Sequence, residues 1–588
     1  MKKSDRRSQR YSRWGALALV LAVCAGQQAQ AKIDLRWSGK LQSDIRFRIG
    51  EVKSGDWYSQ LTLPAGVSRN ENIFKLKLEV EAGRFLGVAD VDLVWTGYSA
   101  APESFSDIFL REKIDPFRIE AHAAFIEAPD LFLEGLDLRI GQQVVAWGVG
   151  DQFNPTNTLN ALDLEDPLLF GEQLANMMVR LDYNPYGDWI ISGVLVPVFK
   201  PALLPPSAQL GPSDPTRLPF VDPAFKRRVQ AEQALSKTLG FPAVVNSLIP
   251  VLPETSAENM QFSFRVAGNL GGHDIALNYY YGRTDIPQPW LNYSYTTPAD
   301  NVCRQNADGQ KECLSGITQV ETFLGYPKMQ MAGLNVAGEV NLLGWISDKI
   351  KSIGYRLELG VFFPQEATMV LLQEELDYGG IKLPAGEYDY QLNGKRPQVV
   401  EDRPFAKWTL GLDYTFNRHF YMNVQWVHGF PDEYGAGDFF HEGFTTIRGG
   451  AINRNAAYAL SCAMADIPKG QKCAQEFTRP RLGDYLVLGT DFKFLDDALL
   501  IRLFLILDLT GIYEERWDTN IDARMRTHHH AFSSQGFSMV IFPEITYNVG
   551  HGVELSTGAL IKLGDEKTKF GDPAAGGSEL WTRARFSF

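Results

Sequence analysis

After its first 31 residues the chain has no apolar run approaching the ~20 residues that a membrane-crossing helix needs. With 45% hydrophobic and 22% charged residues, it is also too polar for a bundle of such helices. Linkers are missing as well. No Ser/Gly-rich or highly charged stretch divides the 588 residues, where a soluble chain of that length would be expected to split into domains. Neither a Gly-rich phosphate loop nor a Gly-x-Ser-x-Gly elbow occurs, and periplasmic helical repeats are absent. Histidine is scarce, at nine residues. The triplet His528-His529-His530 falls in a loop and reads as solvated. His122 lies on an inward strand face next to Glu120, a His–carboxylate arrangement that we read as structural. No catalytic residue, metal site or cofactor is therefore expected, and the protein is not expected to be an enzyme.

Cysteine is rare and its placement is informative. Of five, Cys24 lies in the leader, while Cys303/Cys313 and Cys462/Cys473 occupy two different long loops. Neither pair has the close spacing of a zinc knuckle, so two local disulfides in an oxidising compartment are expected. The leader itself carries Lys2, Lys3, Arg6, Arg7, Arg10 and Arg13 ahead of the apolar run Trp14–Ala25, followed by Ala29-Gln30-Ala31. This is the layout of a secretory signal peptide over residues 1–31, cleaved to expose Lys32. The formal net charge is −13. Losing the leader, with six basic residues against Asp5 alone, takes the remainder to about −18, which argues against nucleic acid as a partner.

What is abundant is alternation. In Leu580–Phe588, Leu580, Thr582, Ala584, Phe586 and Phe588 share one face, while Arg583, Arg585 and Ser587 share the other. A strand with lipid on one side and water on the other must alternate in this way. Similar segments recur about eighteen times, with starts near Arg36, Asn72, Phe85, Arg118, Gly135, Asn176, Asp188, Asn259, His273, Gln330, Gly354, Ala406, Arg418, Asp484, Ala498, Gly536, His551 and Leu580. Short turns such as Ala82–Arg84 and Leu495–Asp497 alternate with long segments at 198–258, 283–329, 364–405 and 430–483. Residues 32–588 are thus expected to form an all-β, antiparallel transmembrane β-barrel with short periplasmic turns and long external loops in a Gram-negative outer membrane. Trp37, Trp95, Trp147, Trp189, Tyr281, Trp408, Trp426, Tyr547 and Trp581 fall near strand ends, as interfacial girdles require.

Strand parity assigns the lumen. Closure brings Arg583 and Arg585 beside Arg36, Lys40, Arg46 and Arg48, with Lys75 and Lys77 next to them, giving a basic stripe. Glu79, Glu81, Asp90 and Asp92 follow as an acidic one, and Arg118, Glu120, Asp137 and Arg139 mix both signs. Such stripes select solutes, or pair across strands and merely stabilise the wall. The interior is expected to be polar and unplugged.

The segment Arg139-x-Gly141-x-Gln143-x-x-x-Trp147-Gly148, followed by Asn154-Pro155, resembles a porin-like family of long proteobacterial outer-membrane barrels of unknown function, loosely similar to alginate-export barrels. The likeness extends less specifically to Gly333–Glu339 and Ile275–Gly282, and departs at Val149, where an acidic residue would be expected. The resemblance implies a porin-like or export barrel, in some members associated with transport of envelope lipid or hydrophobic compounds. In many porins the third loop folds inward, and here Asp151, Asn154, Asp163, Glu165 and Asp166 would form that constriction and set acid opposite the basic stripe. Phe586 and Phe588 look like the signal presented to the barrel-assembly machinery. The function expected is diffusion of small polar or anionic solutes, the alternative being the outer-membrane part of an export, lipid-transport or surface machine. The apolar 201–253 segment, with a short helix over Lys226–Leu239, keeps that alternative open. Expected partners are outer-membrane lipid and lipopolysaccharide, the assembly machinery, and either copies of itself in a homotrimer or an envelope transport complex.

Overall fold

A computed structural model describes residues 33–98, 104–185, 187–211, 239–299, 302–306, 308–341, 351–387, 398–400, 402–435, 473–518 and 523–588. The leader and the helix expected at Lys226–Leu239 lie outside these residues. Eighteen strands form a closed antiparallel barrel. They are β1 Ile33–Arg48, β2 Gly66–Ala82, β3 Phe85–Thr96, β4 Phe117–Ala128, β5 Leu136–Gln143 and β6 Asn176–Tyr183. There follow β7 Ile190–Val196, β8 Gln261–Leu270, β9 His273–Arg283, β10 Lys328–Val340, β11 Ile353–Pro364 and β12 Phe405–Asn417. The set ends with β13 Phe420–His428, β14 Asp484–Phe494, β15 Leu499–Asp508, β16 Ser538–Gly550, β17 Val553–Gly564 and β18 Glu579–Ser587. Each strand pairs with the next, and β18 closes on β1 through nine residue pairs from Lys40/Ser587 to Arg48/Glu579.

These are the strands the alternation marks, with most boundaries shifted by only a few residues. The largest extension is in β2, which starts at Gly66 rather than near Asn72. The outward face is apolar and uncovered: Leu277 is 60%, Ile119 64%, Ile126 54% and Leu412 48% exposed. Burying apolar surface is worth roughly 25 cal/mol per Å², so a belt of this kind is stable against lipid and not against water. Trp37, Trp95, Trp189, Trp426 and Tyr547 belong to it. Phe588 packs outside the seam against Trp37, ring centroids 5.6 Å apart.

Trp147 and Trp581 do not belong to the girdle; they are 4% and 5% exposed. Trp147 lies beyond the end of β5, in a loop that turns into the barrel. Trp581 shares the inward parity of Arg583, whose guanidinium stands 5.2 Å from the indole. Nor is the interior uniformly polar. Loop residues pack against inward side chains in two apolar clusters, one built around Trp147, Met178, Tyr280, Met331 and Phe405. The other joins Phe153 and Phe430 to Tyr485, Ile506, Val540 and Leu560.

The long loops also build sheets of their own. The apolar segment Ala243–Pro250 lies parallel to Gly316–Gly325, which pairs with Gln288–Pro298 in a five-stranded sheet. A three-stranded sheet joins Cys473–Thr478, Ile512–Asp518 and Ala523–His529. In it His529 Nε2 is 2.9 Å from Glu514 Oε2, and His528 Nε2 is 3.0 Å from the Thr510 carbonyl.

Of the two disulfides expected, one is found among the described residues: Cys303 and Cys313 are bonded in a small hairpin of the five-stranded sheet's loops. The second, Cys462–Cys473, is not among them. Its first half, Cys462, lies outside the described residues. Cys473 stands in a strand rather than in an irregular loop tip, opening Cys473–Thr478 opposite Trp517.

Candidate functional site: a loop crossing the lumen

The third long connection, residues 144–175, enters the barrel after β5. Just before it, inside β5, stands Gly141, whose φ is +140° and at which a Cβ would stand 2.2 Å from the Ala124 carbonyl oxygen. Any other residue would push β4 and β5 apart.

One side of the loop is tied by uncharged donors to a single buried carboxylate. Glu358, on the inward face of β11, is 0% exposed. Its Oε2 accepts from the backbone N–H groups of Val149 (2.7 Å) and Gly150 (3.1 Å). Its Oε1 accepts from the backbone N–H (2.8 Å) and the hydroxyl (2.7 Å) of Thr156. Asn335 of β10 donates to the Trp147 carbonyl at 2.6 Å, and Thr409 of β12 donates to the Phe153 carbonyl at 2.7 Å. Asp151, in the left-handed region at φ 53°, accepts from Arg356 of β11 and from Gln425 of β13 at 2.8 Å. Asn154 closes the turn, its Oδ1 accepting from Gly150 N–H at 2.7 Å.

The other side is tied by ion pairs to the opposite wall. Arg46 of β1 grips Asp166 with two nitrogens at 2.5 and 2.7 Å. Arg69 of β2 donates to both oxygens of Glu165, at 2.7 and 2.5 Å. Burial alone would raise the pKa of Asp166, but the hydrogen bond and charge of Arg46, with Arg69 beyond, hold it below the usual carboxylate range. These acids are in contact with the basic wall rather than across a gap from it. Asp163 and Glu172 differ: burial raises both, Glu165 and Glu120 add to the rise at Asp163 and Asp163 to that at Glu172, where the fields of His122 and Lys40 partly offset it.

The basic stripe itself is interleaved with carboxylates. Arg36 is bonded to Glu81, and Arg48 lies 3.3 Å from Glu579. Lys75 reaches Asp90 at 3.0 Å, Lys77 reaches Glu79 at 2.8 Å, and Arg585 reaches Glu554 at 3.2 Å. Arg583 and Arg46 share Asp44, at 2.7 and 3.0 Å. Lys40 meets Gln42 at 3.4 Å. Beside the ion-paired end of the loop lies a cavity of about 920 Å³. Its wall combines Arg46, Arg69 and Lys569 with Leu204, Phe430 and Phe570.

Parity brings out the residues of β1 and β18, but Arg69, Arg356, Glu358, Asn335 and Thr409 were not singled out from the sequence. Arg69 shares the parity of Lys75 and needed only a longer β2. Glu358 and Arg356 share the inward parity of β11. Nothing local to Asn335 or Thr409 marks them.

No family model and no curated protein matches the sequence. Among solved structures, the chain is similar to OccAB1 of Acinetobacter baumannii, at 8% identity over 96% of this chain and 98% of that one, TM-score 0.41. It is similar to a BenF-like porin from Pseudomonas fluorescens Pf-5, at 8% identity over 95% and 100%, TM-score 0.40. A third is OccK8 (OprE) of Pseudomonas aeruginosa, at 9% identity over 94% and 98%, TM-score 0.39.

Proposed function

We propose that the protein is an outer-membrane diffusion channel for small polar or anionic solutes, non-enzymatic, in which residues 144–175 set the constriction. The observation that carries this reading is the loop's double attachment: Glu358 on one wall and Arg46 and Arg69 on the other hold it across the lumen. Solute then passes beside the loop, along the charged wall of β18 and β1–β4. Reconstitution of the mature protein in a planar bilayer, with a salt gradient, tests it. Stable conductance with anion preference is expected, and deletion of Thr156–Leu162, which removes one of the Glu358 attachments, should raise the conductance. A barrel that passes no ions, or an unchanged conductance after the deletion, would overturn it.

The second reading is an export or lipid-transport component, loosely like alginate-export barrels. Supporting it are the apolar side chains Leu204, Leu248, Ile286 and Leu324 that line the same cavity. Co-purification with envelope proteins would favour it, and an ion-conducting homotrimer would favour the first. Assembly through the closing strand with Phe586 and Phe588, and contact of the belt with lipid and lipopolysaccharide, go with either.

A further inference from the structure

Along one row of the lumen wall, Lys40, Lys75, Asp92 and Glu120 are successive register partners on β1 to β4. At this row β4 is irregular. Asp90 pairs with Ala123 and Val91 with Ala121, which leaves His122 as the extra residue of a β-bulge. A bulge re-aims side chains and reverses parity beyond it. Accordingly Glu120 and His122 face inward before it, and Glu127 faces inward after it, where it meets Arg139 at 2.6 Å.

We propose that Asp92, Glu120 and His122 form a binding site for a divalent transition-metal ion of the zinc type, on the lumen wall. Each residue offers one ligand atom, and the three atoms lie within 4.8 Å of one another. His122 Nε2 and Asp92 Oδ2 are 3.3 Å apart, matching the ~3.3–3.4 Å between two donors that each stand ~2.0–2.1 Å from one tetrahedral ion. Asp92 is 5% exposed; its Oδ1 and His122 Nε2 are buried atoms held only by long contacts, Oδ1 standing 3.6 Å from Lys75 and Nε2 3.3 Å from Asp92 Oδ2. A metal ion would satisfy these atoms more closely than the long contacts do.

Neighbouring cations do not preclude it. Lys75 lies closer to Asp90, at 3.0 Å, than to Asp92, at 3.6 Å, and Arg118 is bonded to one oxygen of Glu120. One imidazole and two carboxylates suit a borderline divalent ion, with further coordination positions left to water or to a solute oxygen. Such an ion would add positive charge to the row that holds Lys40 and Lys75.

Calorimetric titration of the mature barrel in detergent with zinc chloride tests the site without reference to ion flow. One saturable site of micromolar affinity is expected. His122→Ala and Glu120→Gln should each weaken it at least tenfold, while His528→Ala with His530→Ala should leave it unchanged. Absence of saturable binding, or binding unaltered by His122→Ala, would overturn the inference. Cobalt absorption of the unmutated protein is a second check that needs no variant: a low-symmetry spectrum supports the site, and one identical to hydrated cobalt refutes it. Because binding is read apart from conductance, a barrel that binds zinc but passes no ions would refute the channel and keep the site. One that conducts but does not bind zinc would do the reverse.

Discussion

The two sides of the lumen hold the same loop by different physics. Toward β10–β12 the attachment is dry: Glu358 is fully buried and enclosed by four donors. Toward β1 and β2 it is ionic and borders the large cavity, with Arg46 and Arg69 as the gripping groups. The dry side is positioned by packing and by the neutral donors around Glu358, with the Arg356–Asp151 pair at its edge, and depends less on salt. The ionic side carries the charge that a passing solute would meet. On the proposed function, anchorage and selectivity are thus divided between opposite walls.

Removing the dry anchor should produce the largest effect. Glu358→Ala leaves the N–H groups of Val149 and Thr156 without their acceptor, at about 1–3 kcal/mol each, while Gly150 keeps Asn154. Single-channel conductance is expected to rise severalfold and by similar factors at low and high salt; a wild-type conductance would break the comparison. A smaller change is expected from Arg46→Ala. Loss of one partner of a buried ion pair costs about 3–5 kcal/mol, but Arg583 still holds Asp44 and Arg69 still reaches Asp166. Reversal potentials should move toward cation preference while conductance changes less than in Glu358→Ala. If conductance rises as much, both walls act as anchors.

The smallest effect is a pH dependence. Burial raises the pKa values of Asp163 and Glu172, so their neutral forms persist above the usual carboxylate range. As pH falls toward that range these two lose their negative charge ahead of ordinary carboxylates, and anion preference should increase. The double variant Asp163→Asn, Glu172→Gln should show the acid-side selectivity already at neutral pH and lose the dependence. A dependence that survives in the variant would assign it to other groups.

The barrel was legible because each strand states its own two faces: a polar residue set every second position against an apolar one can be read without knowing its neighbours. The turns at Ala82–Arg84 and Leu495–Asp497 announce themselves in the same local way. The lumen was legible only where parity held. At the His122 bulge one extra residue turns Glu127 inward, and no pattern on β4 alone reveals it. Trp581 could have been placed by its parity with Arg583. The loop's attachments lie beyond such reading, since Thr156 meets Glu358 across 202 residues and Asp166 meets Arg46 across 120. These are properties of closure and not of any one segment.

The seam has a consequence for assembly. Asp44 is shared by Arg46 and by Arg583, a residue 539 positions later on the strand that completes the barrel. Before β18 arrives, Asp44 has Arg46 as its only guanidinium partner among the described residues, and Arg46 must divide itself between Asp44 and Asp166. With Arg583 in place, Asp44 is shared by two guanidiniums while Arg46 bridges Asp44 and Asp166. The strand that closes the wall thus also adds a partner to the charged group that grips the loop, so on the proposed function an unclosed barrel would hold its passage less firmly defined than the closed one does.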